Sequence, residues 1–258
     1  MFLRRTFAFF LLLVSSFPTF ANLSISPNRV VFSERDRVAT IMLLNSGDQA
    51  VSYRLQWKNL VFDNLGNLIN VDKPQGPLVE NMIRVSPRHV TLAPNERQIV
   101  KLAIRKPKDL PEAEFRSYLN LVAQPIEAPK EQKQSGLHIN LMISYNVPVI
   151  VRNSSRIPEV SIDKFTLPDS ENIELVMSRR GPLSSSGNMT VEHVDTNGSK
   201  TVVARLNNAN IYAEQSTSQF RLPLIGHTKL PKHGKLVIRY EGNEQFKNHL
   251  FAERSFTL

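Results

Sequence analysis

Short apolar runs recur at intervals of about a dozen residues, each set off by turn-forming residues. "VATIMLL" runs into Asn45-Ser46-Gly47-Asp48, "VSYRLQWKNLVF" into Asp63-Asn64-Leu65-Gly66-Asn67, and "RQIVKLAI" follows the tight turn at Pro94-Asn95. Further on, "MTVEHV" leads through "DTNGSK" to "TVVARL", which predicts a hairpin with a primed turn at Asn197-Gly198. The clearest pattern is "SGLHINLMISYNVPVIVRN", residues 135–153. Leu137, Ile139, Leu141, Ile143, Tyr145, Val147, Val149 and Val151 hold every second position. Successive strand side chains point to opposite faces, so this row predicts one apolar face on a long strand. No segment combines sustained 3.6-residue periodicity with caps at both ends. Spaced short strands of this kind predict an all-β chain, and its length suggests two sandwiches.

The pattern breaks at "RNSSRIP", residues 152–158, where polar residues and Pro158 intervene. The expected organisation is a leader at 1–21, a first domain at 22–153 and a second at 157–258. "QPIEAPKEQKQSG" (124–136), with two prolines and three charges beyond Ala128, reads as a loop entering the long strand. "SRRGPLSSSGN" (178–188) reads as a surface loop. Trp57, the one tryptophan, falls on a strand where a sandwich commonly buries it.

The first residues change the picture of where the chain acts. Arg4 and Arg5 precede the apolar run Phe7 to Val14, and Thr19-Phe20-Ala21 offers a small-residue cleavage site. That order predicts a secretory signal peptide, too short in its apolar part to span a bilayer, with the mature chain starting at Asn22. No later run is apolar enough for insertion, so a soluble exported protein is expected. It has no cysteine, so its stability must come from apolar burial without disulfides. The net charge of +9 favours acidic partners. Basic residues neither cluster in long runs nor interleave with aromatics, which argues against nucleic acid.

Candidate chemistry is sparse. His89, His138, His193, His227, His233 and His249 form no HExxH pair, so no metal site is expected. G-x-S-x-G, P-loop and G-x-G-x-x-G motifs are absent, so neither catalytic residues nor a cofactor are expected. Glu112 and Glu114, close together after Pro111, read as solvated carboxylates. The residues argue for a binding protein, not an enzyme.

"SISPNRVVF", "LAPNERQIVKLAIRKP", "EFRSYLNL" and "INLMISYNVPVIVR", in that order, resemble the periplasmic chaperones of chaperone–usher pilus assembly, in a divergent branch closer to the archaic or alternative type. The resemblance covers Asn22 to Arg152 and reaches the rest only through length and β content. It implies two immunoglobulin-like β-sandwich domains set at an angle, boomerang-like, with a cleft between them. It also implies pilus subunits and an outer-membrane usher as partners. In such proteins an edge strand supplies the strand a pilin lacks. By motif the donor residues here are Ile139, Leu141 and Ile143, with Leu137 as a fourth. A pilin missing a strand exposes core surface, at roughly 25 cal/mol per Å², and unpaired backbone groups, each costing about 1–3 kcal/mol once buried. An alternating aliphatic strand with a free edge corrects both faults. The family also anchors the subunit's C-terminal carboxylate in a basic cleft. One cation is Arg29, in "RVVF", whose planar fork suits a carboxylate. The position of the second, a lysine in better-known members, falls on Pro148, and Arg116 or Arg152 is left to take its place. The rival expectation is a secreted structural subunit of a surface fibre or adhesin, which would polymerise where a chaperone forms soluble one-to-one complexes.

Overall fold

The computed structural model describes residues 23–62, 67–71, 78–126, 142–227 and 230–258. Apolar alternation shapes the first sandwich. Its strands are β1 (Leu23–Ser26), β2 (Val30–Phe32), β3 (Val38–Asn45), β4 (Val51–Lys58), β5 (Leu60–Phe62) and β6 (Leu68–Asn70). After the single turn α1 (Val79–Met82) come β7 (Ile83–Ser86), β8 (His89–Leu92), β9 (Arg97–Ile104), β10 (Glu114–Gln124) and β11 (Tyr145–Arg152). One sheet has the order β1-β3-β9-β7 and the other β2-β11-β10-β4-β8, with β5 and β6 forming a separate hairpin. Ile41 and Leu43 from β3, Val100 and Leu102 from β9, and Leu119 and Leu121 from β10 face each other between the sheets. Val147, Val149 and Val151 join them as the alternation predicts, and Tyr145 and Trp57 pack half-buried against that core.

The second sandwich has its own core. Its strands are β12 (Glu159–Thr166), β13 (Asn172–Arg180), β14 (Ser185–Val194), β15 (Lys200–Ile211), β16 (Thr217–Pro223), β17 (Lys235–Gly242) and β18 (Leu250–Thr257). They form sheets β12-β13-β16 and β15-β14-β17-β18, closed over Ile173, Leu175, Met177, Met189, Ile238 and Tyr240. Residues 153–158 belong to no strand. The all-β, two-sandwich expectation is met.

Two local expectations need correction. The hairpin at Asn197-Gly198 forms, with Val194 opposite Lys200, but not through a primed turn. The Gly198 amide donates to the Asp195 carbonyl at 3.1 Å, and Gly198 alone in this turn adopts positive φ, at 86°. Asp195 Oδ1 accepts from the Asn197 and Ser199 amides at 2.9 and 2.8 Å. This local capping selects a type I turn ending in a left-handed glycine. The stretch 178–188 is not a surface loop either: Leu183, Ser184, Ser185 and Ser186 are buried. Leu183 lies in the second core, Ser185 Oγ accepts from the Tyr240 hydroxyl at 3.1 Å, and Ser184 and Ser186 are bonded to the first sandwich.

Pro94-Asn95 is a tight turn as expected, with Asn95 at φ 61°. It is pinned from the β3–β4 side by Asn45, whose buried Nδ2 reaches the carbonyls of Gln49, Leu92 and Ala93 at 2.7, 3.2 and 3.0 Å.

Candidate functional site

The β10–β11 register runs from Glu114 opposite Arg152 to Leu121 opposite Tyr145. β10 continues to Gln124 and pairs with β4 over its last residues. On the β11 side, among the described residues, Val122 to Gln124 have no strand partner; the Ala123 amide donates to Ser144 Oγ at 3.3 Å. β11's other edge is covered by β2 over Val149–Val151 alone. From Tyr145 to Pro148 that edge is therefore open among the described residues. Of the expected donor residues, Leu137, Ile139 and Leu141 lie outside the described residues. Ile143 stands just before β11, 46% exposed, beside Met142 at 56%.

The face of β10 and β11 turned away from the first core carries Glu114, Arg116 and Tyr118 opposite Arg152, Ile150 and Pro148. β2 runs parallel to β11 with Val30 beside Val149. One step back in this register sets Arg29 beside Pro148, on the same face. The three candidate cations thus share one face, and the second sandwich meets each of them.

Arg29 pairs with Glu244 and donates from Nη2 to Ser186 Oγ at 3.4 Å. Arg152 is engaged through two of its nitrogens: Nε donates to Glu114 Oε2 at 2.7 Å and Nη2 to Ser184 Oγ at 3.3 Å. Ser184 Oγ in turn donates to Glu114 Oε2 at 2.8 Å. Glu114 is therefore a buried, paired carboxylate and not the solvated one the sequence suggests, while Glu112 is exposed and pairs with Arg156. Lys106 Nζ caps the Arg152 carbonyl at 2.6 Å, and burial holds its pKa below the usual lysine value.

Arg116 is different. Its guanidinium lies 3.9 Å from the Tyr212 ring centroid and 5.3 Å from that of Phe62, and it pairs with Glu214. Tyr212 and Phe62 are themselves stacked, with ring centroids 4.6 Å apart. The Arg116 side chain is 7% exposed, yet Nε and Nη1 have no hydrogen-bond partner among the described residues. It lines a cleft of about 650 Å³ with Leu60, Phe62, Pro182 and Glu214, between the sandwiches. Burial raises the Tyr118 hydroxyl beneath it to about 12.

One residue that sequence reasoning missed builds the far wall. Arg179 is buried and donates to five carbonyls, of Gly181, Leu183, Tyr212, Ala213 and Gln215, at 2.6 to 3.3 Å. It fixes the segments that present Pro182, Tyr212 and Glu214. Burial lowers its pKa from the usual arginine value. Nothing in "SRRG" separates it from exposed Arg180, because both neighbours carry the same charge and alternate between faces. Among the described residues, no group of three His, Cys, Asp or Glu side chains could hold a metal ion.

The fold and cleft define a two-sandwich protein of immunoglobulin-like build with arginines gathered at the joint. A sequence model of the pili and flagellar-assembly chaperones, PapD N-terminal domain, matches residues 22–155, and the chain belongs to that family, one of assembly chaperones and not of enzymes. Among solved structures it is similar to the class 5 fimbriae chaperone CfaA, at 15% identity over 92% of this chain and 98% of that one, with a TM-score of 0.50. The same values hold for a chaperone–tip adhesin complex of CFA/I fimbriae. The Salmonella enterica SafA pilin complex with the SafB chaperone matches at 15% identity over 94% of this chain and 99% of that one, with a TM-score of 0.49. Identities this low speak for the fold alone. No curated protein matches the chain.

Proposed function

We propose that the protein is a periplasmic chaperone that binds, folds and caps pilus subunits by donor-strand complementation and hands them to an outer-membrane usher. On this reading residues 1–21 are removed on export, 22–153 form the chaperone domain and 157–258 the second domain. The donor is the segment of Leu137, Ile139, Leu141 and Ile143. The observation that carries the reading is the open edge at Tyr145–Pro148, directly continuous with that aliphatic row. A strand arriving there finds backbone groups that no described strand pairs, and the row supplies side chains for the groove of an incomplete sandwich.

The subunit's C-terminal carboxylate is anchored at Arg29, with Arg116 as the second cation. Arg152 is less suited, because its charge is already paired with buried Glu114 and its Nε and Nη2 donate to Glu114 and Ser184. Arg116 lines a cleft and keeps two buried donors without a partner among the described residues, and a buried guanidinium with unused donors favours a bidentate anion. Co-expression with a pilus subunit in the periplasm tests the function. The subunit accumulates in soluble, protease-resistant form with the wild-type protein and is degraded with an Ile139→Asp, Leu141→Asp variant. Equal subunit levels with both proteins would contradict the reading.

A further inference from the structure

We propose that Glu244 is a built-in stand-in for the subunit's carboxylate: it occupies Arg29 in the unloaded protein, and the arriving C-terminus displaces it. This rests on the reading of Arg29 as the carboxylate anchor.

Glu244 comes from the second sandwich and pairs with Arg29 of the first. Its backbone has φ 48°, a left-handed conformation that a non-glycine residue seldom adopts. The turn is held from behind: the Phe246 amide donates to the Asn243 carbonyl at 2.9 Å, and the Phe246 side chain is buried in the second core. Ser186 Oγ donates to Asn243 Oδ1 at 2.7 Å and the Asn243 amide to the Ser186 carbonyl at 3.1 Å. One rigid corner thus presents both the hydroxyl that accepts from Arg29 and the carboxylate that pairs with it.

The Glu244 side chain is nevertheless 55% exposed, against 22% for Arg29. A pair this open is held weakly and Glu244 returns to water at little cost, whereas Arg29, more enclosed, keeps a counter-charge throughout the exchange. One carboxylate replaces another. A free anion gains little by competing with a tethered one, so displacement favours an end that also brings an apolar strand to the open edge. Loading then severs an ion pair between the sandwiches and links carboxylate capture to the joint.

The test is calorimetric titration of the mature protein with a strand peptide of alternating valine and threonine, about ten residues long, as the free carboxylate and as the C-terminal amide. Wild-type protein prefers the carboxylate form. Glu244→Gln raises affinity for that form about tenfold and leaves the amide unchanged. Glu244→Gly, which suits the left-handed backbone, does the same, and Arg29→Gln removes the preference in every background. If Glu244→Gln and Glu244→Gly bind like wild type while Arg29→Gln still removes the preference, the stand-in is overturned and the anchor survives. If no protein distinguishes carboxylate from amide, the anchor fails and the proposal falls with it.

Discussion

Arg152 Nε donates to Glu114 Oε2 at 2.7 Å where β11 ends and β10 begins, and both side chains are almost wholly buried. Removing one partner leaves an uncompensated charge in low dielectric. Arg152→Ala or Glu114→Ala therefore lowers stability by about 3–5 kcal/mol, whereas a matched apolar pair at both positions costs far less. Urea denaturation of the two single variants and the double Arg152→Met, Glu114→Leu variant checks this. Equal losses in all three would contradict it.

Arg179 makes a similar case inside the second sandwich. Lysine keeps the charge but cannot fork to five carbonyls. Arg179→Lys loses about 2–4 kcal/mol and loosens residues 181–183 and 212–215, seen as faster amide exchange at Leu183 and Ala213.

The Arg116 prediction separates binding from folding. Its ion-pair partner Glu214 is about one-third exposed, so Arg116→Ala leaves a carboxylate that water can reach. The variant's Tm falls by only a few degrees, while affinity for a bound subunit falls about tenfold or more. Surface plasmon resonance and thermal scans on one preparation check both halves. An affinity unchanged from wild type would remove Arg116 from the anchor.

Alkaline pH should weaken the protein. Burial raises Tyr53, Tyr118 and Tyr240 to about 12 from the ordinary 10. A raised folded-state pKa means the unfolded chain loses its proton first. Their contribution is full below pH 10 and is lost between 10 and 12, at most about 3 kcal/mol for each group. Tyr240→Phe loses about 1 kcal/mol at pH 7, where its hydroxyl otherwise donates to the Ala209 carbonyl at 3.0 Å. It should also decline less steeply than wild type from pH 9 to 11 in urea titrations.

The parts of this architecture legible in the sequence are those governed by nearest-neighbour pattern. Val147, Val149 and Val151 announce their face because strand side chains alternate, and Pro94-Asn95 its turn because asparagine tolerates positive φ. The joint is another matter. Glu114 looks solvated in "LPEAEF" because its partners, Arg152 and Ser184, lie far along the chain. Phe62, Arg116, Tyr212 and Glu214 converge from three distant segments, and no local signal joins them. Ser184 and Ser186 read as loop because their partners Glu114, Arg152 and Arg29 lie in the other sandwich. The motif around Arg29 marks it only as a candidate cation, and nothing near it in the chain announces its pairing with Glu244.

The central claim is that the aliphatic row ending at Ile143 serves a client and not only this protein's own core. A tagged pull-down from periplasmic extract, with mass spectrometry of what co-elutes, tests it most directly. The account predicts a small β-rich exported protein at one-to-one stoichiometry, lost with Ile139→Asp while the variant stays folded. The tagged protein alone, or a ladder of its own multimers, would contradict it.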